Sequence, residues 1–106
     1  MNETWKAIPG IEEYEASFSG LIRSVPRLDT IGRKRKGVII SQFEGPFGYL
    51  YVTLYIKGRR INRSVAKLVA DTFLDNPNAA KAVRHIDGDI LNNRADNLRW
   101  NERKER

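Results

Sequence analysis

Between residues 49 and 56 the chain reads YLYVTLYI, and this run alternates without a break. Leu50, Val52, Leu54 and Ile56 fall on one face of an extended strand; Tyr49, Tyr51, Thr53 and Tyr55 fall on the other. A helix would scatter those aliphatic positions around its circumference, so the run demands a sheet whose aliphatic side meets a core. The tyrosine side is amphipathic and suits a half-wet surface or a groove. Upstream, VIISQFE at 38–44 is also β-rich, and Gly45-Pro46-Phe47-Gly48 breaks the two runs apart. Downstream, IKGRRI is a hairpin-type turn, basic at Lys57, Arg59 and Arg60.

The period then changes. In NRSVAKLVADTFLDNP, Val65, Leu68, Val69 and Phe73 recur at helical spacing and make one apolar face. Ser64 is placed to cap the helix, and Pro77 lies beyond its end, so a helix is expected over 64–74. At the front, Trp5, Ile8 and Tyr14 are apolar anchors around a Pro9–Gly10 turn, and YEASFSGLIRSV predicts a tight hairpin with strands near 13–17 and 20–25. Residues 26–37 form a polar connection around the basic run Arg33, Lys34, Arg35 and Lys36, which reads as a solvated loop or a phosphate-contacting one. No repeat and no low-complexity segment is present.

Composition removes several kinds of chemistry. The 106 residues fit one compact domain, or two small modules that share a core. There is no cysteine, which excludes disulfide frameworks, thiolate zinc sites and thiol nucleophiles. A metal would need His, Asp, Glu or Asn, ligands that suit hard divalent ions. No apolar run approaches the roughly 20 residues that span a bilayer, and the start lacks a signal-peptide layout. A soluble, cytoplasmic protein without a membrane partner is therefore expected. The net charge of +6 is uneven: residues 1–30 carry three basic and five acidic side chains, residues 31–106 sixteen and eight. That asymmetry points to a polyanion, nucleic acid first.

The single histidine, His85, stands in VRHIDGDILNNRADNLRW. Asp87-Gly88 is a turn signal. Asn92, Asn93, Asp96 and Asn97 are short polar side chains suited to pinning a loop through side-chain to backbone bonds. NLRW returns the chain to a half-apolar extended segment, and Asn101 is placed to cap a short final helix. The layout is strand, long polar loop, strand, helix start.

This stretch resembles the HNH endonuclease motif of phage and intron homing enzymes. RSVAKLVADTFLDNP resembles the helix that precedes the motif, and WKAIPGIEEYEASFSGLIRS resembles the NUMOD4 module often fused ahead of it. The resemblance implies an α+β domain: a small antiparallel sheet from 13–62 on the helix at 64–74, then a minimal or degenerate ββα-metal unit at 82–106. It divides the chain into a NUMOD4-like module at 1–30, a basic loop, β-hairpin and core helix at 31–81, and the HNH-like unit at 82–106. It also implies hydrolysis of a phosphodiester bond in double-stranded DNA. His85 matches the general base, and Asn97 the loop asparagine that orients it. Asp87, Gly88, Asn92 and Asn93 would shape the loop. A Mg²⁺ or Mn²⁺ ion would polarise the phosphate.

Two positions depart from the family pattern. The residue before the histidine, usually a metal ligand, is Arg84, and the second ligand position falls on Arg106. Guanidinium groups have no lone pair for a metal and add positive charge. Three readings follow. Carboxylates at Asp87, Asp89, Asp96, Glu102 or Glu105 rescue the ion; the arginines bind the phosphate and no metal is needed; or the site is inactive and the protein binds DNA or a host protein with an acidic surface. The phosphate contacts expected are Arg33, Lys34, Arg35, Lys36, Lys57, Arg59, Arg60, Arg63, Arg84, Arg99 and Arg106. No RNA-recognition motif is present, and the sequence sets no oligomeric state.

Overall fold

A computed structural model describes residues 3–28, 31–35 and 37–101. The front of the chain is a meander: β1 (Trp5–Ile8), β2 (Ile11–Ser17) and β3 (Ile22–Ser24) pair in that order, antiparallel. The β1–β2 turn runs through Pro9 and Gly10, and Gly10 takes φ +82°. The hairpin expected near 13–17 and 20–25 is present, with Tyr14 opposite Ser24 and Ala16 opposite Ile22. Trp5–Ile8 adds a strand where only anchors were expected, and Arg23 lies over the Trp5 ring at 4.1 Å.

The polar connection contains a two-residue ladder, β4 (Arg27–Leu28) with β5 (Lys34–Arg35). The VIISQFE stretch yields little strand: Ile39 bridges Arg23, and only Phe43–Glu44 forms β6. β6 lies beside β7 (Leu50–Ile56), which pairs with β8 (Arg59–Ser64). At the β7–β8 turn, Lys57 and Gly58 both have positive φ, 51° and 77°, which matches the twist of a two-residue hairpin. Val52 and Leu54 are completely buried and Tyr55 is exposed, as the alternation requires. Burying each such aliphatic side chain contributes about 1.5–3 kcal/mol.

Ser64 ends β8 and caps α1 (Val65–Phe73), its hydroxyl accepting from the Lys67 N–H at 3.3 Å. Val65, Leu68 and Val69 face a core shared with Ile8, Ala16, Ile22, Leu54 and Leu98. A final hairpin, β9 (Ala82–His85) with β10 (Leu98–Asn101), closes on the same core. The architecture is thus several small antiparallel sheets around one helix, where a single sheet from 13–62 was expected. Breakers at Pro9-Gly10, Gly45-Pro46 and Lys57-Gly58 end the β1–β2, β6–β7 and β7–β8 ladders. The expected helix after Asn101 lies outside the described residues; Asn101 itself belongs to β10. No described helix is long and apolar enough to cross a membrane.

Candidate functional site

Strand alternation sorts the β9–β10 hairpin into two faces. Val83 and His85 are half-buried, while Ala82 and Arg84 are exposed. On β10, Leu98 is opposite His85 and is buried; Arg99 is opposite Arg84 and is exposed. His85 therefore stands on the core-facing side and Arg84 on the other.

The loop from 86 to 97 is fixed by its own short side chains. Asp87 accepts from the Asp89 N–H at 2.8 Å, from Asn92 Nδ2 at 3.0 Å and from Asn97 Nδ2 at 2.9 Å. These donors, the Asp89 N–H foremost, hold the Asp87 carboxyl below the usual carboxylate range. Asn97 also donates to the Asn92 carbonyl at 2.9 Å, and its Oδ1 accepts from the Asp87 N–H at 3.1 Å. Gly88 takes φ +79° in the turn, and its N–H donates to the His85 carbonyl at 3.1 Å.

Asn97 is consumed by the loop, and the histidine is held by another residue. His85 Nε2 lies 2.7 Å from Asn93 Oδ1. The orienting bond expected of Asn97 belongs to Asn93. An amide oxygen only accepts, so Nε2 carries the proton in this pair and Nδ1 keeps the lone pair. Asn93 is buried, and its own position is set from the front of the chain. Gly20, at φ +102°, packs so closely that a Cβ there would stand 2.9 Å from the Asn93 carbonyl oxygen. Next to it, the Ala95 N–H donates to the Phe18 carbonyl at 2.8 Å.

The Tyr49 ring stacks on His85 with centroids 6.1 Å apart. A cleft of about 220 Å³ opens beside the imidazole, lined by Tyr49, Tyr51, Lys67 and Lys81 among others. Both lysines escaped the sequence reading. Lys67 did leave a signal: it sits in the first turn of α1, where a cation opposes the helix dipole and no acid is present.

The described residues offer a divalent metal no preformed cluster of ligands. No group of three His, Asp or Glu side chains comes together among them. Asp87 is spent on the loop, Asp89 accepts from the Leu91 N–H at 3.0 Å, and Asp96 pairs with Arg94 at 3.2 Å. Glu102, Glu105 and Arg106 lie outside the described residues, as does Lys36.

The expected phosphate contacts do not form one stripe. Lys57, Arg59, Arg60 and Arg63 are all exposed. In register, however, Arg59 and Arg63 oppose Ile56 and Val52, whereas Arg60 opposes Tyr55 on the other face of the sheet. Lys34 and Arg33 are exposed near the β4–β5 ladder, and Arg35 is described only as backbone.

The NUMOD4 motif matches residues 3–55, and an HNH endonuclease family matches residues 76–106. Two proteins of Acanthamoeba polyphaga mimivirus, named as uncharacterized HNH endonucleases, are similar to this chain. One is 33% identical over 106 residues, covering 93% of this chain and 24% of that protein. The other is 32% identical over 100 residues, covering 94% and 27%. The chain thus spans about a quarter of their length. A solved structure described as "DNA binding and cleavage by the HNH homing endonuclease I-HmuI" superposes with a TM-score of 0.73 at 30% identity, over 92% of this chain and 51% of that one.

Proposed function

Because the chain belongs to the HNH homing endonuclease family and carries a NUMOD4 motif, we propose that it binds double-stranded DNA and hydrolyses a phosphodiester bond with His85 as general base. The observation that carries this reading is the 2.7 Å pair between His85 Nε2 and Asn93 Oδ1, which leaves Nδ1 free to take a proton from water. The water oxygen attacks phosphorus, the bond to the 3′ oxygen breaks, and the leaving oxygen is protonated from solvent. Lys67 and Lys81, in the cleft with His85, neutralise charge on the phosphate. Asn97, Asp87, Asn92 and Gly88 keep the loop in shape. Exposed Arg33, Lys34, Lys57, Arg59, Arg60 and Arg63 contribute salt-dependent affinity. This arrangement favours charge neutralisation by side chains over a bound Mg²⁺ or Mn²⁺.

A second reading, binding without cleavage, is favoured by Arg84, which stands where the family pattern has a metal ligand. Nicking of supercoiled plasmid in Mg²⁺, Mn²⁺ or EDTA separates the two, with His85→Ala as control. Nicking that survives EDTA and falls about 10²–10⁴-fold in the variant supports the general-base reading. A folded wild type that binds plasmid and never nicks it leaves the binding reading.

A further inference from the structure

We propose that Arg84 and Arg99 form a two-guanidinium clamp for a single phosphate, on the face of the β9–β10 hairpin opposite His85. The two residues are directly opposed in the antiparallel register. Directly opposed side chains leave the backbone about 5 Å apart, and like charges so placed oppose pairing. Among the described residues, no acidic side chain forms an ion pair with either arginine. The ion pairs Arg23–Glu15 and Arg94–Asp96 reach neither Arg84 nor Arg99. Both guanidinium groups are exposed.

The space they border has the right character. A cleft of about 270 Å³ is lined, among the described residues, by Arg84, Arg99, Trp100 and Asn101, none of them acidic. Asn101 alternates onto the same face as Arg99 and adds a neutral amide donor. A planar guanidinium presents parallel N–H groups that match a phosphate's oxygens, and two such forks converging on one anion relieve the repulsion between them. The residues that disqualify this face for a cation are the ones that qualify it for an anion. Val83 and His85 face the other cleft, so the clamped phosphate is not the one that His85 attacks. It is a neighbouring phosphate that registers the duplex on the hairpin.

The identification of the anion as a DNA phosphate rests on the DNA-binding reading; the clamp itself does not. Two measurements on wild type, Arg84→Gln, Arg99→Gln and the double variant separate them. In the first, melting temperature is compared in inorganic phosphate and in chloride at equal ionic strength. Phosphate should raise it for the wild type and leave the double variant unchanged. In the second, binding to a short duplex is followed by anisotropy across a salt series. Each phosphate neutralised contributes about 0.9 to the slope of log K against log salt. One shared phosphate predicts that the double variant loses about one such increment, not two. A wild type indifferent to inorganic phosphate overturns the clamp. So does a double variant that keeps the full slope, or one that loses two increments, while the DNA reading stands. A wild type that fails to bind duplex, yet is stabilised by phosphate through these arginines, overturns only the identification with DNA.

Discussion

Asn93 Oδ1 lies 2.7 Å from His85 Nε2, and the asparagine is buried while the ring it holds borders an open cleft. A general base works only at the right angle to its water, and a misplacement near 1 Å costs about 10²-fold. Asn93→Ala should therefore slow single-turnover nicking about 10²-fold while duplex affinity is retained. Equal loss of rate and affinity would show that Asn93 shapes the DNA surface rather than the ring.

Asp87 supplies a pH test. Its carboxyl is held low by the Asp89 N–H and by the amides of Asn92 and Asn97, so its bonds stabilise the fold when it is ionised. That contribution is complete above the unfolded value of about 3.9 and is lost as pH falls through the lower folded value. Melting temperature followed from pH 6 downward should drop more steeply for wild type below about pH 4 than for Asp87→Ala. Parallel curves would mean that the loop draws nothing from the ionised carboxyl.

Gly20→Ala tests the link between the two ends of the chain. The new methyl meets the Asn93 backbone at 2.9 Å, in a φ of +102° that alanine resists. A cost of about 1–3 kcal/mol is expected in urea unfolding. The nicking rate should also fall, because Asn93 is displaced from the imidazole. A destabilised variant with full activity would uncouple the turn from the site.

Arg84→Asp together with Arg106→Asn restores the ligand types of the family pattern. If the arginines alone separate this chain from a metal-using site, Mg²⁺-dependent nicking should appear or rise. The readout is the ratio of rates in Mg²⁺ and EDTA. A ratio unchanged from wild type places the difference elsewhere in the site.

Local signals carried much of the fold. The alternation from Leu50 to Ile56 and the Ser64-capped helix depend on neighbours in sequence, and both are present to within a residue. Strand pairing is less legible, because an edge strand depends on a partner that supplies its hydrogen bonds. Trp5–Ile8 has mixed composition and becomes a strand only because β2 lies beside it. Val38 and Ile39 suggest a strand, yet both are exposed, and the segment manages one bridge to Arg23.

The site divides the same way. The loop roles of Asp87, Gly88 and Asn92 follow from side chains that reach only a few residues along the chain. Which asparagine meets His85 does not, since Asn93 is placed by Gly20 and Phe18 from the opposite end of the sequence. Lys81 joins the cleft because β9 pairs with β10 and packs on α1, a relationship that no spacing encodes.

The Phe18 carbonyl and the bare Cα of Gly20 bear on how such proteins can be recombined. A front segment that supplies them is part of the scaffold of the histidine loop, not a detachable address label. Transplanting residues 76–106 behind a foreign leader would carry over every side chain of the motif and omit the two backbone groups that seat it. Compatible donors for a chimera are those whose β2–β3 hairpin turns through a glycine at this place and leaves a carbonyl facing the loop.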